Sequence, residues 1–300
     1  MRDRLLEILA SGASADAVAW LNESIAGGEA NFEKRPFYYA FSGVSRHFHK
    51  QALVEATDEQ ALALKEICAD FTISGWDEFR LARVILLLHL ADQEEAVFLE
   101  TIDALLNTAD LREQAAIFSA YALLPAQEAL VESAIDGLRS NIVDIFDAIA
   151  LGNPFPAAHF SDEAWNQMIL KTFFINRPNY RIIGIGKRAN ADLTDAISDL
   201  AHERWAAGRT ISPEAWRHCA GFLTETILSD FNHLLEKGDA ADRKALALIA
   251  SGNPDTALDA IRNEVQEELA SVESGELTWD SLGFSLVDPS PALNGSPSDD

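Results

Sequence analysis

The chain has 300 residues, 48% of them hydrophobic and 24% charged, and its 48 acids against 23 Lys and Arg give a formal charge of −25. That length and composition describe a globular protein able to bury a substantial core. The charge argues against general phosphate-backbone binding and against a polybasic dock on anionic lipid, since both need a cationic face.

The opening stretch, MRDRLLEILA, reaches charge at Glu7 and has no uninterrupted apolar region of signal-peptide type. The apolar runs, such as Val84 to Leu88, are too short to span a bilayer, so a cytoplasmic location without membrane insertion is expected. Only Cys68 and Cys219 are present, each in a helical pattern, which predicts two reduced, buried thiols rather than a disulfide.

Apolar spacing is helical nearly everywhere, with no sustained two-residue alternation, so the fold class expected is all-α. Leu5, Leu6 and Leu9 predict a short first helix. A second follows Ser14 and is expected to stop at Gly27-Gly28, where glycine can turn left-handed. Pro36 suits a helix start, and Phe37, Phe41, Val44 and Phe48 form one stripe behind it. Thr57 with Gln60 reads as a capping box for a helix burying Leu62, Ile67 and Cys68. From Asp77 to Leu90 the pattern loses its polar face, which places that helix inside a bundle, with His89 as a hydrogen-bonded core histidine.

Helices near 93–107, 111–124, 126–138 and 141–151 follow, joined by short links that favour antiparallel neighbours. Ile149-Ala150-Leu151-Gly152-Asn153-Pro154 returns as Ile249-Ala250-Ser251-Gly252-Asn253-Pro254, an echo that suits antiparallel helical pairs stacked as a curved, solenoid-like single domain over 1–275. Ser212-Pro213 is expected to start a long helix with Trp216, Ala220, Leu223, Ile227, Phe231 and Leu234 on one face. Another runs from about Asp255 with Leu258, Ile261, Val265, Leu269 and Val272 inward. In the segment 276–300, Trp279, Leu282 and Phe284 offer a docking stretch, and disorder is expected from about Asp288.

The chemistry concentrates between Trp165 and Trp216. No carboxylate occurs between Glu163 and Asp192, while Lys171, Arg177, Arg181, Lys187 and Arg188 all do. Gly184-Ile185-Gly186-Lys187-Arg188-Ala189 superficially matches a dinucleotide fingerprint, but no parallel-sheet pattern surrounds it, so that reading is rejected. What remains is an irregular basic loop followed by a helix capped by Asn190. Free N–H groups and a helix start there favour an anion, against the plainer reading that the cations pair with the abundant acids.

On the helix over about 191–207, Leu193, Ile197 and Leu200 share one face and Asp195, Asp199 and His202 the opposite one. That second set has spacing to share a cation, but a solvated face explains it and no metal is expected. Arg204 continues the apolar face, so it must snorkel, pair, or face a pocket. Asn166 and Gln167 lie among apolar groups and are expected to be buried with backbone partners. Candidate ligand-binding residues are therefore Asn166, Gln167, Lys171, Arg181, Lys187, Arg188, Asn190, His202, Glu203, Arg204, Trp205 and Trp216. No catalytic motif of useful specificity and no cofactor fingerprint stands beside them.

ALGNPFP (150–156), AWNQMILKTFF (164–174), YRIIGIGKRAN (180–190), LAHERWAAGR (200–209) and SPEAWR (212–217) resemble the EboA family, encoded in bacterial ebo metabolite-traffic clusters. The resemblance is densest over 150–217. It implies a cytoplasmic helical protein working beside a prenyltransferase-like membrane protein and several soluble enzymes to move a secondary-metabolite precursor outward. It supplies no catalytic residues. The function expected is thus a non-enzymatic binding or adaptor protein whose partners are a small-molecule precursor or other ebo-cluster proteins, not nucleic acid. The alternative is an enzyme acting on an anionic small molecule through the basic loop 177–190 and the His202-Glu203-Arg204 helix.

Overall fold

The computed structural model describes residues 1–30 and 32–287. Helices make up the fold, and no β-sheet forms among the described residues beyond an isolated antiparallel bridge between Leu53 and Asp77. No helix there is long and apolar enough to cross a membrane. Tertiary contacts group into two units that divide after Trp165, inside the Asp162–Phe174 helix.

The first unit is built on the Glu78–Leu90 helix, in which every residue but Arg80 is buried. Asp77 starts it by accepting from the Arg80 N–H at 2.8 Å. The Arg2–Gly12 and Leu111–Ala120 helices pack against it, and Val143–Ala150 packs on the latter. Arg83 is fully buried there. Its Nε donates to the Phe41 carbonyl at 3.2 Å, Nη2 lies 3.6 Å from Glu113, and its guanidinium faces the Phe41 and Phe79 rings at 5.7 and 5.5 Å. Burial pulls its pKa down, and Glu113 opposes that pull. His89 is a core histidine, 3% exposed, with Nδ1 3.3 Å from Arg2 Nη1.

The stripe of Phe37, Phe41, Val44 and Phe48 is buried, and the Thr57–Gln60 capping box forms in both directions. Two expectations fail here. Leu62 and Ile67 are 61% and 53% exposed, whereas Leu64 is buried. The ten-residue Asp58–Ile67 helix has one narrow inward face, and it passes through Leu64 toward the Arg2–Gly12 helix. The second helix runs on to Ala30 instead of stopping at Gly27-Gly28, because Gly27 keeps a right-handed conformation. Cys68 and Cys219 are free, the first half-buried and the second buried.

The echoed junction has one physical job in both copies. Asn153 Nδ2 donates to the Phe118 and Ala148 carbonyls at 3.1 and 3.0 Å, and its Oδ1 accepts from the Phe155 N–H at 3.0 Å. Asn253 Nδ2 donates to the Ala220 carbonyl at 2.6 Å, and its Oδ1 accepts from the Asp255 N–H at 2.9 Å. Each asparagine ends one helix and ties the junction to a neighbouring segment. Asn153→Ala leaves three buried backbone groups without that partner and should cost about 2 kcal/mol, while Asn253→Ala should cost less. Chemical denaturation of the two variants checks the order.

In the second unit the long helix expected from Ser212 is broken. Pro213–Cys219 is a 3-10 helix, and Thr224 caps a separate Glu225–Lys237 helix by accepting from the Ile227 N–H at 3.3 Å. A capping threonine in mid-pattern ends one helix and starts another, although Trp216, Ile227, Phe231 and Leu234 are buried as expected. The segment from Asp255 is likewise three pieces, Thr256–Leu258, Asp259–Glu264 and Gln266–Glu273, with the last break at Val265. Leu258, Ile261 and Val265 are buried and Leu269 and Val272 half-buried.

A Trp279–Leu286 helix follows, begun by a Thr278–Ser281 capping box. Leu282 packs with Ala245, Leu248 and Leu277, but Phe284 is 72% exposed and does not dock. Alternate faces of a short helix cannot both be covered by one neighbour. The disorder expected from about Asp288 concerns residues outside the described ones.

Candidate functional site

After the Asp162–Phe174 helix, Asn176 turns left-handed, the Arg177 N–H returns to the Thr172 carbonyl at 2.9 Å, and Asn179–Arg181 forms a short 3-10 turn. Gly184, at φ +86°, then admits a helical turn, Ile185–Arg188, a geometry costly for any residue with a Cβ. Asn190 caps the next helix, Ala191–Ala206, its Oδ1 accepting from the Leu193 N–H at 2.9 Å. The same amide pairs head to head with Asn166. Asn166 Nδ2 donates to Asn190 Oδ1 at 3.1 Å, Asn190 Nδ2 donates to Asn166 Oδ1 at 2.9 Å, and Asn190 Nδ2 also reaches the Arg188 carbonyl at 3.2 Å.

Asn166 is therefore half-buried against a side chain instead of the expected backbone, and Gln167 is exposed instead of buried. The basic loop also differs from expectation. The Lys187 and Arg188 N–H groups are spent on the Gly184 carbonyl at 2.9 and 3.1 Å, so any attraction for an anion comes from their side chains. Lys187 is exposed, and Lys171, Arg181 and Arg188 are half-buried. The Ile185–Arg188 turn packs on the Pro213–Cys219 segment.

The Ala191–Ala206 helix packs on that same segment and buries Leu193, Ile197 and Leu200 as its spacing predicts. Asp195, Asp199 and His202 do not form a cation site. His202 Nε2 instead lies 2.6 Å from Oδ1 of the buried Asp230, whose Oδ2 accepts from Ser198 Oγ at 2.6 Å. No group of three or more metal-type ligands gathers among the described residues. Arg204 snorkels, with its guanidinium 5.7 Å from the Phe174 ring and Nη1 on the Thr210 carbonyl at 3.3 Å. Glu203 is exposed. Trp205, half-buried, centres a ring cluster with Trp216 at 5.8 Å, His233 at 4.1 Å and His202 at 5.5 Å. Trp216 is fully buried and meets Phe231 edge-on at 5.8 Å.

Sequence reasoning missed a second polar cluster beneath this surface. Glu214 is 4% exposed and accepts from the Asn179 and Tyr180 N–H groups, and burial nonetheless pushes its pKa up to about 7. The Trp279–Leu286 helix closes over it at Gly283, where a Cβ would stand 2.7 Å from Glu214 Oε1. His218 is fully buried with Nε2 3.2 Å from Asn179 Oδ1, and burial together with Arg217 pushes its pKa down to about 3, so it is neutral. Arg217 lies 5.4 Å from the Trp279 ring, its pKa pulled down by burial and raised by Asp280 and Glu214. The available signal was a Glu and a His four apart around Trp216, obscured because the segment is 3-10 and not α.

The arrangement defines an all-α protein with a basic turn and a ring cluster mounted on one 3-10 segment. The family described as metabolite traffic protein EboA matches residues 1–220, and the chain belongs to that family. No curated protein and no solved structure matches it. The matched span includes the amide pair, the basic turn and Glu214, and it stops before Asp230, His233 and the Trp279–Leu286 helix.

Proposed function

We propose that the chain is a non-enzymatic, cytoplasmic binding or adaptor protein for metabolite export, holding a small anionic precursor or an ebo-cluster partner at the surface built by 165–217. One observation carries this reading. The basic turn with exposed Lys187 and the helix bearing Arg204 and Trp205 pack against the same Pro213–Cys219 segment, so charge and ring faces share one support. Lys187 stands exposed on a turn with no carboxylate between Glu163 and Asp192, and a small outside anion would complement it. Helical pairs stacked as a solenoid-like array belong to the same proposal, supported by the equivalent Asn153 and Asn253 junctions.

The enzyme reading draws on Glu214, a carboxyl that titrates near neutrality. Its weakness is geometric. Glu214 is committed to two backbone N–H groups and covered at Gly283, and His202 is committed to Asp230. Lys187→Glu should abolish metabolite export in producing cells and leave the melting temperature unchanged, because an exposed lysine contributes little to stability. Export at the parental level in that variant counts against the surface.

A further inference from the structure

The N-terminal unit holds a half-open cavity of about 660 Å³ between the Ala15–Ala30 and Lys34–Gly43 helices and the Val44–Arg46 turn. This is the size of a small-molecule site. Aromatic side chains line it, Trp20, Phe32, Phe37, Tyr39 and His47 among them. Trp20 and His47 stack with centroids 4.0 Å apart and planes within 9°, and Phe37 beside them is 6% exposed. Among the described residues three charged side chains line it, Glu23, Glu33 and Arg46, and none of the three is in an ion pair there. Two carboxylates against one guanidinium leave that described lining one charge negative.

We propose that this cavity binds a planar aromatic small molecule that carries a positive charge. A flat ring extends the Trp20–His47 stack and removes apolar surface from water. The electron-rich ring faces and the surplus carboxylate favour a cation over an anion of the same shape. The chemistry is opposite to that of the 165–217 surface, so the two sites select different molecules and their tests are independent.

Proflavine, a flat cation, and 1-anilinonaphthalene-8-sulfonate, an anionic dye of similar size, serve as probes for isothermal titration of the full chain at physiological ionic strength. Proflavine should fill one saturable site. The Glu23→Gln/Glu33→Gln double variant should bind it about tenfold more weakly, the loss expected for charge-assisted contacts. Both carboxylates are exposed, so this variant keeps the fold. Trp20→Phe should weaken binding as well. A control, Glu236→Gln/Glu273→Gln, removes two exposed acids elsewhere and should bind as the parent does. The proposal is overturned if proflavine shows no saturable site, if the control loses as much as the cavity variant, or if the anionic dye binds the cavity more tightly.

Discussion

Trp216→Ala should destabilise the C-terminal unit by about 3–5 kcal/mol, the range for truncating a fully buried aromatic. Trp216 has no exposed surface, and it supports Trp205 on one side and Phe231 on the other. Its removal opens a cavity under the segment on which both the basic turn and the Ala191–Ala206 helix rest. Trp216→Phe should cost much less, since a ring remains and the indole N–H, which has no partner among the described residues, goes with the substitution. Denaturant unfolding followed by near-ultraviolet dichroism reads both variants. Equal losses in the two would place the energy elsewhere than in ring packing.

Glu214 and His218 should give stability opposite slopes with pH. The Glu214 carboxyl sits at about 7 in the fold against an ordinary 4.5, so the folded chain holds its proton more tightly than the unfolded chain. Its contribution is therefore present below pH 4.5 and is lost as pH rises through about 7. Glu214→Gln removes that loss and should be more stable than the parent by about 3 kcal/mol at pH 8, with the gap closing by pH 4. Gln keeps an oxygen for the Asn179 and Tyr180 N–H groups, which is why the gain should survive substitution.

His218 works the other way. Its folded value of about 3 against an ordinary 6.5 means that its contribution is present above pH 6.5 and is lost as pH falls toward 3. The two trends nearly cancel in the parent over the shared window. In Glu214→Gln, stability should fall on acidification from pH 6.5, and in His218→Gln it should rise on acidification from pH 7. Parallel slopes in the two variants would contradict the burial of one or both groups.

These two groups mark where the sequence stops being legible. Helical periodicity identified the Glu78–Leu90 core helix, the aromatic stripe from Phe37 to Phe48 and the buried face of Leu193, Ile197 and Leu200, because each face is wide and continuous. Caps were legible too, since Thr57 and Asn190 act on residues three positions away. The breaks at Gly221–Thr224 and Val265 were not, because apolar spacing continued across them and only the capping threonine hinted otherwise. At the site, Asn190 as a cap was readable locally. Its pairing with Asn166 and the capture of His202 by Asp230 were not, since they join residues 24 and 28 positions apart. Glu214 gave no signal of its own, because what buries it, Gly283, comes 69 residues later, the difference of the two positions.

On the proposed function, the chain holds a small molecule without changing it. Native mass spectrometry of the chain isolated from producing cells, followed by release and mass measurement of whatever is bound, tests this most directly. A small anionic molecule should be bound to the parent, be missing from Lys187→Glu, and be recovered after incubation with the chain at the mass it had before. Steady conversion of that molecule into a product of different mass, lost in Glu214→Gln, would contradict it.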